Sequence, residues 1–370
     1  MDPWNVERRD EAMKSLLTLQ QRLVPDVIET MKGRFRILRQ MYDMQPVGRR
    51  TLAQVMDTTE RILRGEVDFL KDQGLVAVDS SGMRLTPLGE SLLDALGEVM
   101  GILDGRADLE RELRRVLGLR AVRVVSGDVD ENPEVKGDLG FTAARFLREV
   151  LRRGDVVAVT GGTTVAAVAA RMPPVHPGNI LVVPARGGVG ERVEYQANTI
   201  AADLAERLRA EYLLFHVPDR LSEEAYRSLA GEPQIAEKLH LIRQASIVVH
   251  GIGQAIAMAR RRRLPPEEIA VLEERGAVGE AFGYYFDQDG RIVYQQHTLG
   301  LGLGDISGMR AVIAVAGGRG KAGAIAAVAK AVAPHMLVTD EGAAWEILAR
   351  YKGCGDQGEG AKTAEIHEIS

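Results

Sequence analysis

Cysteine is almost missing from this chain: there is one, Cys354, in 370 residues. A single thiol excludes an intramolecular disulfide framework and any cysteine-rich zinc site. A reducing cytoplasm suits such a chain. Long apolar runs are missing too. None approaches the ~20 residues needed to cross a bilayer. The opening MDPWNVERRDEAMKSLL carries charges where a secretory leader needs an apolar stretch. An excess of positive charge is also absent: the net charge is −5, so any nucleic-acid surface has to be local. What is present is an ordinary globular balance, 45% hydrophobic and 27% charged. The length suits two or three domains.

The chain has two grammars. Residues 1 to about 117 are poor in glycine and read as mostly helix. From Leu119 to Tyr351, short Val/Ile/Ala runs end in glycine and alternate with helical stretches, as in VVAVTGG (156–162), ILVVPARGG (180–188), IVVHGIG (247–253) and VIAVAGG (312–318). Continuous apolar runs mean strands buried on both faces, and helices between them mean parallel crossovers. The second half therefore reads as a doubly wound α/β domain. The whole is expected as a helical extension (1–31), a winged helix-turn-helix (32–88), a linker helix (89–117), the α/β domain (118–351) and a disordered tail (352–370).

In the N-terminal half, an apolar stripe of Leu16, Leu17, Leu19, Leu23, Val27, Ile28 and Met31 marks a first helix, interrupted by Pro25. KGRFRILRQMYDM (32–44) continues near helical spacing, QPVGRR (45–50) is a turn, and TLAQVMD (51–57) is a short helix. Asp57 then stands as an N-cap candidate with Glu60 three residues on, a variant of the capping box. The helix that follows places Ile62, Leu63, Val67 and Leu70 on one face and Thr58, Thr59, Arg61 and Arg64 away from it. LVAV (75–78) and MRLT (83–86) form a hairpin, which completes a winged helix-turn-helix. Eight basic residues between Lys32 and Arg64 against three acidic ones leave this segment at +5. That is the electrostatic footprint of phosphate binding. Arg61 and Arg64 are candidate base readers with Thr58 and Thr59, and Arg49 and Arg50 at the turn are candidate phosphate contacts. The stripe of residues 89–117 serves either a dimer seam or packing within one chain.

In the second half, VVAVTGGTT (156–164) runs strand, glycine turn, helix start. Such a turn points backbone N–H groups outward and adds the helix dipole, so it suits an anion. It is neither a Walker A sequence nor GxGxxG. Other strand ends carry Arg186, the run Arg260 to Arg263, Glu280 and Lys321. Ligands of open α/β sheets bind outside the carboxyl ends of strands. Cations and one carboxylate there suit a phosphorylated polyol, with Arg and Lys on phosphate and Glu280 and Gln196 on hydroxyls.

MQPVGRRTLAQVM (44–56), ERILRGEVDFLKDQGL (60–75), VTGGTT (159–164), VPARGG (183–188), QANTIA (196–201), GIG (251–253) and AGGRGKAGAI (316–325) together resemble the SorC family of bacterial sugar-responsive regulators, over about residues 30 to 350. The resemblance implies an operator-binding repressor whose C-terminal domain is similar to sugar-phosphate isomerases and glucosamine-6-phosphate deaminase. It implies a phosphorylated sugar as effector, fructose-1,6-bisphosphate or a monophosphate relative, and an oligomer of dimers on double-stranded DNA. Carried over by motif, the effector contacts are Gly161, Gly162, Thr163, Thr164, Arg186, Gln196, Arg261, Arg262, Glu280 and Lys321. One departure is GIGQA (251–255), where many relatives carry an acidic residue at the place of Gln254. The deaminases have Asp-Gly-His after that turn; here Gln254-Ala255-Ile256 follows, so the general acid/base group is absent from its expected place. No catalytic residue, metal or cofactor is expected, and Asp340-Glu341 reads as a helix start.

Overall fold

A computed structural model describes residues 7–173, 175, 178–188 and 192–355. The chain divides into two compact units, with the boundary between Ala107 and Asp108.

The N-terminal unit holds α1 (Glu7–Leu23), α2 (Pro25–Met44), α3 (Arg49–Val55), α4 (Glu60–Asp72), β1 (Val76–Asp79), β2 (Gly82–Leu85) and α5 (Pro87–Leu103). Leu38, Met41, Leu52, Leu63, Val67, Met83 and Leu93 form its core. The two wing strands pair antiparallel, and Val47 bridges to Met83 beside them. Pro25 opens α2 at a position whose N–H a helix does not use. One helix therefore runs from there to Met44, and no boundary falls at residue 31. The expected apolar stripe is only partly buried: Leu17 and Ile28 are covered, while Leu16, Leu19, Leu23 and Val27 are exposed. The linker is not one helix. α5 stops before Gly105, whose φ of 76° ends it, and α6 (Arg106–Leu117) restarts. Leu109, Leu113 and Leu117 of α6 are buried in the core of the C-terminal unit.

The C-terminal unit contains β3 (Ala121–Val125), β4 (Val156–Val159), β5 (Leu181–Pro184), β6 (Glu211–Tyr212), β7 (Ile247–Gly251), β8 (Gly253–Gln254), β9 (Gly279–Ala281), β10 (Tyr284–Phe286), β11 (Ile292–Gln295), β12 (Ala311–Val315) and β13 (Met336–Asp340). Seven of them form a parallel sheet in the order β3-β13-β12-β7-β4-β5-β6. Strand residues alternate between two apolar clusters: Val248, Val312 and Ala314 face one, and Ile247, Val249, Ile313 and Val315 face the other. Both faces are covered, as the continuous apolar runs require. The remaining strands form a small antiparallel sheet, β11-β10-β9-β8. The last helix, Glu341–Gly355, takes in the first four residues of the expected tail; residues 356–370 lie outside the described residues. Among the described residues, no helix is long and apolar enough to cross a membrane.

Two close fits generate predictions. Gly140, in the helix Val135–Val150, lies against the helix Thr163–Ala170; a Cβ there would sit 2.5 Å from the Ala167 carbonyl oxygen. Gly140→Ala is expected to destabilise the C-terminal unit by about 1–3 kcal/mol, the usual cost of overpacking, read as a lower urea midpoint. His250, at the end of β7, is fully buried against Phe282 at 4.8 Å between ring centroids. Burial pushes its pKa down to about 4. The unfolded chain, at the ordinary value near 6.5, takes up that proton first as pH falls. Stability is therefore whole above pH 6.5 and is lost as pH falls toward 4. Between pH 7 and 4.5 the loss from this group is on the order of 2–3 kcal/mol. Denaturant unfolding of the parent and of His250→Leu at both pH values should show a shallower pH dependence in the variant.

Candidate anion pocket and nucleic-acid face

Chain order reverses across the sheet between β4 and β7: the strands after β4 go one way and those after β7 the other. A crevice forms at such a switch point. Here it is a cavity of about 310 Å³, lined by the turns after β4, β5 and β7, the helix Ala255–Arg261 and strand β9. All ten residues named from the sequence line it: Gly161, Gly162, Thr163, Thr164, Arg186, Gln196, Arg261, Arg262, Glu280 and Lys321.

One wall is the turn after β4. Gly162 sits at φ 117°, and its N–H donates to the Tyr195 carbonyl at 2.9 Å. This presents the first turn of the helix Thr163–Ala170 to the cavity, with N–H groups that have no partner inside the helix. Thr160 Oγ1 accepts from the Gly251 N–H at 3.1 Å and ties this turn to the one after β7.

The floor is a cluster of four charges, of which Arg186 and Glu280 are buried and Asp219 and Arg262 half-buried. Arg186 pairs with Asp219, and its second nitrogen lies 3.7 Å from Glu280. Arg262 reaches Asp219 at 3.2 Å and Glu280 at 2.8 Å. Glu280 also accepts from the Gly283 N–H at 2.8 Å. Burial alone would raise the Glu280 pKa; Arg262 and Arg186 overcome it and hold the carboxyl below its ordinary value. The cluster is therefore two cations and two anions, mutually neutral. Asp219 is the member that the sequence reading missed. Its one signal was position, a charged residue just beyond the apolar run that ends in Val217.

The opposite wall carries Lys321 after the turn AGGRGK. That turn looks like an anion loop, yet its N–H groups are already engaged. Gly318 donates to Asp340 at 2.7 Å, Arg319 to Asp128 at 3.2 Å and Gly320 to Asp130 at 2.8 Å. Gln254 donates from its side chain to the Gly320 carbonyl. Burial lowers the Lys321 pKa and Lys136 pushes the same way, while Asp130 and Asp340 oppose them. Arg261 is exposed at the rim. Among the described residues, no group of His, Cys, Asp and Glu could hold a metal ion.

In the N-terminal unit, Thr59 caps α4: its hydroxyl accepts from the Ile62 N–H at 3.3 Å. Asp57, expected at that place, instead takes φ 48° in the preceding turn. Ile62 is exposed, so the apolar face of α4 is Leu63, Val67 and Leu70. The predicted DNA contacts differ in availability. Arg49 lies 3.4 Å from Asp68 and Arg64 lies 3.2 Å from Glu60. Arg50 and Arg61 are exposed and make no ion pair among the described residues. Thr58 is half-buried and Thr59 is exposed. Arg34, although basic, stacks 3.7 Å over Phe69 and pairs with Glu66 at 2.8 Å.

Comparison with known proteins agrees with both units. The sequence family described as "Putative sugar-binding domain" matches residues 103–349, and "CggR N-terminal DNA binding domain" matches residues 30–100. The central glycolytic genes regulators of Priestia megaterium and Bacillus subtilis are 48% and 45% identical, each over 91% of this chain and 99% of its own length. A solved SorC family regulator from Enterococcus faecalis is 43% identical over 65% of this chain and 99% of its own, with a TM-score of 0.61. The full-length sorbitol operon regulator of Klebsiella pneumoniae, at 20% identity, shares the fold over 86% of this chain and 98% of its own, with a TM-score of 0.63. These relatives are named as transcriptional regulators and not as enzymes. The chain belongs to the SorC family of transcriptional regulators, with a DNA-binding domain followed by a sugar-binding domain.

Proposed function

We propose that this chain represses glycolytic genes and that a phosphorylated sugar, fructose-1,6-bisphosphate, modulates its hold on the operator. The observation that carries this reading is the division of labour in the pocket. Backbone N–H groups at the helix start, Thr163 and Thr164, face the cavity together with Lys321 and suit anions; Arg261 lines the same cavity. The neutral cluster of Arg186, Asp219, Arg262 and Glu280 offers hydrogen bonds to hydroxyl groups rather than net charge. A polyol with phosphate ends matches both. The relatives' name, central glycolytic genes regulator, supports a glycolytic ligand. One observation favours a monophosphate instead: two of the pocket arginines are already neutralised, which leaves few cations for a second phosphate.

On the DNA side, α4 enters the major groove, with Arg61 and Arg64 toward bases and Arg50 toward phosphate. Effector domains associate and set the spacing of two winged helices. The ligand binds one arrangement better than another, and that difference is the only free energy available to shift operator affinity.

Thermal unfolding against a panel of sugar phosphates tests the ligand. At about 100 times its Kd, a bound ligand adds roughly 2.7 kcal/mol to the folded state. A larger shift with fructose-1,6-bisphosphate than with fructose-6-phosphate is expected. The reverse order means a monophosphate effector, and no shift with any sugar phosphate removes the reading. Lys321→Ala should weaken the response at least tenfold in ligand concentration and leave DNA binding intact. On the operator, Arg61→Ala should cost about 1–3 kcal/mol of specific affinity. Fluorescence anisotropy with operator and scrambled duplexes measures it, and the thermal shift by effector should survive.

A further inference from the structure

We propose that the C-terminal unit carries a second surface for DNA phosphates, on the sheet edge opposite the pocket. All seven strands of the large sheet are parallel, so their amino-terminal ends lie together on one side. Arg120 stands directly before β3, Arg152 and Arg153 before β4, Arg209 before β6, Arg310 before β12 and His335 before β13. The segments entering these strands and β7 contain one carboxylate, Asp155. Arg310 and the Ser246 hydroxyl take it up. Arg120, Arg152, Arg153 and Arg209 are exposed and make no ion pair among the described residues.

The strand order fixes their layout. Arg120 lies at one edge of the sheet, Arg152 and Arg153 near the middle and Arg209 at the other edge. At about 4.8 Å between strands, the row spans on the order of 29 Å. Duplex DNA offers phosphates every 3.4 Å along each strand, so a row of this length meets several. Guanidinium forks match phosphate oxygens in pairs. Glu211, the first residue of β6, is an exposed carboxylate beside Arg209, so the excess of positive charge rests on Arg120, Arg152 and Arg153. Its partner is a polyanion, and the polyanion that this chain's family holds is DNA.

The test is the salt dependence of binding by the full chain to a 60-base-pair duplex of random sequence. Each neutralised phosphate contributes about 0.9 to the slope of log K against log salt. Arg152→Ala with Arg153→Ala is expected to flatten that slope by about 1–2. The charge-matched control, Arg227→Ala with Arg291→Ala, removes two exposed arginines that already pair with Glu223 and Asp289 and should leave it unchanged. Equal slopes for the two double variants overturn the proposal, whether both fall or neither does. Arg50→Ala with Arg61→Ala reports on the winged helix separately: a flattened slope there alone keeps the proposed function and rejects the second surface. Parent-like unfolding temperatures of all three double variants establish that each is folded.

Discussion

Four mutually neutralising charges hold the pocket of the C-terminal unit together. Arg186 comes from the turn after β5, Asp219 from the loop after β6, Arg262 from the end of the helix Ala255–Arg261, and Glu280 from β9. Each belongs to a different segment, so the cluster can form only when the large sheet and the small antiparallel sheet are both in register. Taking these ions out of water is costly, and their mutual attraction offsets the cost only with close geometry. Each ion touches both opposite charges, so removing any one leaves the cluster with a net charge in a largely water-excluded site, which is destabilising. The polar floor of the cavity is thus set before any ligand arrives.

The parallel sheet supplies the second constraint. It gathers the glycine turns after β4, β5, β7 and β12 at one edge, and the reversal of strand order between β4 and β7 opens the gap beside them. Gly253 pairs with Glu280 across β8 and β9, so the short strand after the turn at Gly251 also sets the depth of the carboxylate. In the N-terminal unit the corresponding role falls to caps. Thr59 starts α4, and Thr86 starts α5 by accepting from the Gly89 N–H at 3.1 Å.

Much of this was legible in the sequence, for identifiable reasons. Glycine after an apolar run marks a strand end wherever the sheet is parallel, and the ten pocket residues were found that way together with the family motifs. Asp219 was not, because it follows a two-residue edge strand with no glycine turn. Thr59 was passed over as a cap because Asp57 has the same capping chemistry two residues earlier, and only the φ of 48° at Asp57 separates them. Ile62 was misplaced because helical spacing near a cap does not say which side the first turn presents. The break in the linker depends on Gly105 turning left-handed, whereas Gly97 and Gly101 are accommodated within α5.

The two glycine turns that flank the cavity differ in a way that bears on signalling. The AGGRGK turn is braced through its backbone by Asp128, Asp130 and Asp340 and by the Gln254 side chain. It is already ordered, so a ligand that touches Lys321 has no loop to freeze on that side and loses little entropy there. The Lys321 side is thus a fixed wall of the cavity, opposite the helix start after β4.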